Sequence, residues 1–158
     1  MRKNKSTLYL SKIESDYPWD LFLLADPSMK AINEYLPGSA CYLAFNGGGE
    51  TVGGAIVRKA HHGYYELMNI AVYEKFQKQG WGIKLLTAIV QKVQQLGGKK
   101  LELGTGTFGY QLKFYQKVGF RVTGIEKDFF LKKYKEPIIE DGLQHSDMLR
   151  LSLDLEDS

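Results

Sequence analysis

Met68-Asn69-Ile70-Ala71-Val72, followed by Gln77-Lys78-Gln79-Gly80-Trp81-Gly82-Ile83, decides the fold. The first part ends a β-rich run over 64–72. The second opens a helix in which apolar residues recur at Ile83, Leu86, Val90, Val93 and Leu96 until Gly97-Gly98 stops it. That spacing predicts an amphipathic helix of about four turns. A glycine loop between a strand and a helix presents unpaired backbone N–H groups at the positive end of the helix dipole, an arrangement that binds phosphate. A lone Gly-x-Gly marks only a tight loop; its position between strand and helix gives it weight.

Outward from this centre, residues 40–45 and 52–59 are β-rich and joined by Asn46-Gly47-Gly48-Gly49, which predicts an antiparallel hairpin. Residues 7–13 alternate as a first strand, and 19–25 and 29–35 read as short helices, the second capped by Ser28. Downstream, 100–103 is a buried strand, 110–118 a helix ended by Gly119, 120–125 a strand, 128–134 a short helix and 147–155 a final alternating strand. The order β, αα, βββ, α, β, α, ββ describes an α/β fold, a mixed sheet with helices on both faces. No repeat or linker divides the chain, so 1–158 is expected to form a single domain.

Composition excludes several classes. Apolar residues make up 44% and charged residues 25%, against disorder, collagen and coiled coil. A net charge of +3 does not call for a nucleic acid. No apolar run approaches the ~20 residues of a membrane span, and no signal-peptide core follows Met1, so a cytoplasmic protein is expected. The one cysteine, Cys41, cannot form an intrachain disulfide and is expected in the core. His61 and His62 point opposite ways on an extended chain, so they read as a solvated turn, and no metal is expected.

Met68 to Val72, the Gln77-x-x-Gly80-x-Gly82 loop and Phe114-Tyr115-Gln116-Lys117-Val118-Gly119-Phe120 together resemble the GCN5-related N-acetyltransferase (GNAT) family. The match is to its Q/R-x-x-G-x-G/A pyrophosphate loop and its Y-x-x-x-G-F segment, in the family's order. The N-terminal Leu23-Leu24-Ala25-Asp26-Pro27-Ser28 and Lys127-Asp128-Phe129-Phe130 are similar to a bacterial subgroup of undefined acceptor.

The resemblance implies a mostly antiparallel sheet splayed between its fourth and fifth strands, and acetyl-CoA as donor. It implies an N-acetyltransferase that moves acetyl to a primary amine of a small molecule or peptide by direct attack in a ternary complex. Carried over residue by residue, Gln77, Lys78, Gln79, Gly80, Trp81, Gly82 and Ile83 hold the pyrophosphate, while Ile70, Ala71 and Val72 meet pantetheine. Tyr115 matches the tyrosine that protonates the leaving thiolate. A phenol titrates near ~10 and is protonated at neutral pH, as that role requires. Glu66 stands where some relatives supply a general base, and an amine acceptor must lose a proton before it attacks. Strand alternation would put Glu66, Met68, Ile70 and Val72 on one face and Leu67, Asn69 and Ala71 on the other.

Gly104-x-Gly106-x-x-Gly109 after a strand also resembles the first motif of class I methyltransferases, but too few residues follow it for a doubly wound nucleotide site. In the acetyltransferase reading its glycines serve close approach of coenzyme A, with Thr105 and Thr107 as contacts. Relatives place an asparagine and an alanine upstream of the tyrosine where this chain has Phe108 and Gln111. Thr107 is the substitute cap for the helix that follows. The alternative function is a catalytically silent acyl-CoA-binding module or sensor. Alternation over 148–155 suits the edge of a homodimer.

Overall fold

The computed structural model describes residues 4–155. Tyr9–Ile13 (β1), Ala40–Phe45 (β2), Thr51–His61 (β3) and Tyr64–Val72 (β4) form one antiparallel series. Its central hairpin turns as expected: Asn46 Oδ1 accepts the N–H groups of Gly48 and Glu50, both at 3.0 Å. Between β1 and β2 lie Trp19–Phe22 (α1) and Met29–Tyr35 (α2). Ser28 caps α2, its Oγ accepting the Ala31 N–H at 3.1 Å.

Trp81–Gln95 (α3) returns the chain to Lys100–Gly106 (β5), which lies parallel to β4. Tyr110–Val118 (α4), Arg121–Glu126 (β6), Phe129–Lys133 (α5), a small hairpin of Ile139–Glu140 (β7) and Leu143–Gln144 (β8), and Met148–Asp154 (β9) complete the order. The β7–β8 pair is not among the sequence expectations. The main sheet runs β1-β2-β3-β4-β5-β9-β6. The last strand therefore inserts between β5 and β6, bonded on both sides. This corrects the expectation of a dimer edge over 148–155, because β9 has no free edge to offer.

β4 and β5 pair only at Tyr64–Lys100, Tyr65–Leu101 and Glu66–Glu102, and then part. β3 and β9 continue along their other edges. The parted edges keep backbone groups that no neighbouring strand satisfies, in a wedge open to a ligand.

The faces of β4 differ from simple alternation. Val57 pairs with Leu67 and Ile56 with Asn69, so Met68 is the extra residue of a bulge. Tyr65 and Leu67 join the core beneath α3, whereas Asn69 donates to the Phe22 carbonyl and Ala71 packs in the core beneath α1 and α2. Glu66 and Asn69 consequently share the α1–α2 face, contrary to the alternation expected. One inserted residue inverts every side chain beyond it.

The buried stripe of α3 is Trp81, Leu85, Leu86, Ile89 and Val93. Ile83 and Leu96, expected on that stripe, are 41% and 53% exposed. Ile83 stands two residues from Trp81, about 200° around the helix, so burying Trp81 turns Ile83 outward. Each buried Leu or Ile on the stripe contributes roughly 1.5–3 kcal/mol of apolar burial. Among the described residues, no helix is long and apolar enough to cross a membrane.

Candidate active site

The loop before α3 is braced from behind. The Gln77 side chain donates to the Val72 carbonyl at 2.9 Å and that of Gln79 to the Lys75 carbonyl at 3.0 Å. Both amides thus hold the loop's shape, and the loop offers its backbone. Gly80 stands at the helix start with φ +88°, a left-handed conformation that glycine adopts without steric cost. No side chain caps the first turn, so the N–H groups of Trp81, Gly82 and Ile83 lack the partners a cap would provide. Trp81 itself turns into the core, with the Lys84 ammonium 4.7 Å from its ring centroid.

A cleft of about 330 Å³ brings together Ile70, Ala71, Val72, Gln77, Lys78, Gly82 and Tyr115. These come from the diverging edge of β4, the loop, the first turn of α3, and α4. Tyr115 is 7% exposed, and burial alone raises the pKa of its phenol well above the ordinary tyrosine value. It therefore retains its proton throughout the neutral range.

A second cavity of about 900 Å³ lies between the α1–α2 segment, β4, β5 and α5. It shares Leu24, Ala25, Tyr110 and Gln111 with the first, so the two spaces adjoin. Glu66 is on its wall, with Oε1 2.8 Å from Arg58 Nη2 and Oε2 3.1 Å from Arg150 Nη1. Both carboxylate oxygens are therefore engaged by guanidinium groups. Sequence reasoning missed Arg58 and Arg150. Arg58 was legible in principle, facing Glu66 across the β3–β4 hairpin, whereas Arg150 comes from a distant strand.

Thr105 is buried on the wall of this second cavity. Thr107 is exposed in the bend after β5 and borders neither space. It does not cap α4, whose N-cap is Gly109 with no side-chain bond. A threonine in that bend stands too early to reach the first turn.

The glycines of 104–109 make room for side chains of the protein itself. A Cβ at Gly104 would lie 2.3 Å from Met148 Sδ, one at Gly106 2.3 Å from the His145 ring, and one at Gly109 2.4 Å from Glu140 Oε2. His145, unremarkable in sequence, is 6% exposed, stacks on Phe108 at 4.1 Å and places Nε2 2.9 Å from Glu140 Oε1. Phe108 thus supplies a stacking surface at the position where relatives carry asparagine. Cys41 is buried beneath α1 and α2, and burial pushes its thiol up to about 12, which removes it as a nucleophile.

Residues 8–120 match the model of the Acetyltransferase (GNAT) family. The chain is 42% identical over 156 residues to the uncharacterized N-acetyltransferase YvbK of Bacillus subtilis, a match covering 98% of this chain and all of the relative. Among solved structures, it resembles a GNAT family acetyltransferase from Elizabethkingia anophelis with acetyl-CoA bound: TM-score 0.90, 40% identity, 96% of this chain and 100% of that one. It also resembles the Bacillus subtilis acetyltransferase in complex with CoA, with TM-score 0.85, 42% identity and coverage of 95% and 99%. An uncapped helix start beside a parted sheet, with a buried tyrosine where the two meet, agrees with these matches, and the chain belongs to the GNAT family of acetyltransferases.

Proposed function

We propose that this protein, acting as one domain, transfers acetyl from acetyl-CoA to a primary amine by direct attack in a ternary complex. The observation that carries this reading is the junction of two cavities at Leu24, Ala25, Tyr110 and Gln111, one beside the anion-binding helix start and the other lined by charged and aromatic side chains. Donor and acceptor held in adjoining spaces need no covalent enzyme intermediate. Acetyl-CoA supplies the activated thioester.

The chain's own groups divide the remaining work. Backbone N–H groups from Gln79 to Ile83 receive the pyrophosphate, with Gln77 and Lys78 shaping the loop beside it. The free edge of Ile70, Ala71 and Val72 aligns pantetheine, and an N–H there polarises the thioester carbonyl. Thr105 lies nearer the acceptor, and Thr107 is a contact outside the cleft. Tyr115 donates its phenolic proton to the departing thiolate. Glu66, on the acceptor wall, is the carboxylate offered for the amine's proton, and one guanidinium contact must open for it to serve.

Thermal unfolding with acetyl-CoA, and with S-adenosylmethionine and NAD as controls, tests the donor site. Saturation at 100 times the dissociation constant adds about 2.7 kcal/mol, or roughly 5–10 °C for a chain of this size. Thiol release with a panel of primary amines then tests transfer. A shift without thiol release identifies the silent acyl-CoA-binding module instead.

A further inference from the structure

The carboxylates bordering the larger cavity differ in how their charge is met. Glu66 is paired with Arg58 and Arg150 and Glu34 with Lys133, Glu140 lies in hydrogen-bond contact with His145, and Glu126 is exposed to solvent. Asp26 is 8% exposed and makes no ion pair among the described residues. Its Oδ1 accepts the Ser28 N–H at 3.1 Å and the Tyr134 hydroxyl at 3.0 Å, and its Oδ2 accepts the Tyr35 hydroxyl at 3.1 Å. Asn69 Nδ2 donates to Tyr35 Oη at 3.1 Å, which directs the Tyr35 proton onto the carboxylate.

A buried carboxylate ordinarily sits against a cation, because neutral donors only partly replace its hydration. Burial, joined by the negative charge of Asp26, raises the pKa of both phenols, so they stay neutral and meet the carboxylate with hydrogen bonds and no cationic partner. Oδ2 accepts one bond and retains an open lone pair. Tyr134, whose hydroxyl reaches the carboxylate, stacks with Phe130 at 6.1 Å, so an aromatic pair lines the same cavity as Asp26. Asp26 borders the acceptor cavity, and its neighbour Ala25 borders both cavities, which puts the carboxylate near the donor end.

We propose that Asp26 is the seat of the acceptor's ammonium group, held between the hydroxyls of Tyr35 and Tyr134, and that it makes the enzyme selective for cationic amines. The assignment rests on the acetyl-transfer reading and is a binding role, separate from removal of the amine's proton. It deepens that reading by naming the charge of the acceptor and the residue that selects it.

Steady-state thiol release with 2-phenylethylamine, tyramine and cadaverine, on wild type and Asp26→Asn, tests it. At least one of these cations is turned over. Asp26→Asn raises its KM tenfold or more while kcat and the KM for acetyl-CoA stay within twofold, and Asp26→Glu recovers part of the loss. A merely structural Asp26 would instead move the acetyl-CoA KM and the melting temperature in parallel. An acceptor KM within twofold of wild type overturns the seat, as does failure to turn over every one of these cations while acetyl-CoA still raises Tm. Absence of any acetyl-CoA shift overturns the underlying donor reading instead. Should Asp26→Asn not fold, competition on wild type decides: 2-phenylethylamine must outbind its neutral counterpart 2-phenylethanol at least tenfold, and a preference under twofold overturns the proposal.

Discussion

Arg150 Nη1 lies 3.1 Å from Glu66 Oε2, although β4 and β9 are not neighbours and β5 runs between them. The guanidinium crosses β5 over Gly104, the residue paired with Arg150, where a Cβ would approach Nη1 to 3.0 Å. The absent side chain at Gly104 thus admits a link across the splay. Arg150→Ala is expected to remove this charge-assisted bond and lower stability by about 1–2 kcal/mol, or roughly 2–8 °C in Tm. Arg58 remains to partner the carboxylate, which keeps the loss below that of a stranded charge. Gly104→Ala should reproduce the effect by crowding Met148 and Arg150, and a Tm equal to wild type in both variants would show the link to be energetically idle.

Tyr115→Phe deletes one hydroxyl from a buried side chain that lines the smaller cleft. A general acid contributes about 10²–10⁴-fold, so kcat is expected to fall at least by the lower figure while the thermal shift with acetyl-CoA is unchanged. Unchanged turnover would remove Tyr115 from the acid role and leave it a packing residue between Phe114 and Phe120.

Glu66→Gln keeps the shape and removes the charge. If Glu66 receives the amine's proton, the acidic limb of the kcat/KM profile flattens in this variant. A parallel fall at every pH, with the limb intact, assigns Glu66 to holding Arg58 and Arg150 in place and the proton to water.

Cys41 gives an alkaline signature. Burial raises its thiol from 9.0 to about 12 in the fold, so the unfolded chain ionises first. Stability is fully present below the unfolded value and is lost as pH rises from there toward the folded value, by about 1.4 kcal/mol per unit. Cys41→Ala should therefore flatten the dependence of Tm on pH as pH rises above the unfolded value of 9.0 toward the folded value of about 12. Iodoacetamide should label the unfolded protein at pH 8 and spare the native one, and rapid native labelling would contradict the burial.

Much of this molecule is legible residue by residue. The runs over 64–72, 110–118 and 29–35, the cap at Ser28 and the stop at Gly119 depend on neighbours a few positions away, and all stand where the sequence puts them. One wall of the smaller cleft is local too, since Ile70 to Val72 and Gln77 to Gly82 are joined by one short connection, whereas Tyr115 and Ala25 reach it from distant segments. The bulge at Met68 was not legible, because a bulge is set by the register with β3 and by no residue type in β4 itself. For the same reason, nothing in 148–155 announces a central strand rather than an edge.

What the sequence by itself determined is the order of helices and strands, the β7–β8 hairpin apart, and the glycine turn between β4 and α3, because hydrogen bonds and side-chain periods repeat over a few residues. The tertiary structure alone decided the larger cavity. Asp26 meets Tyr134 across 108 positions, Glu66 meets Arg150 across 84, and the glycines of 104–109 yield space to side chains from the last third of the chain. Such pairings follow from strand order and from one inserted residue, and each is settled only when distant segments compete for the same buried space.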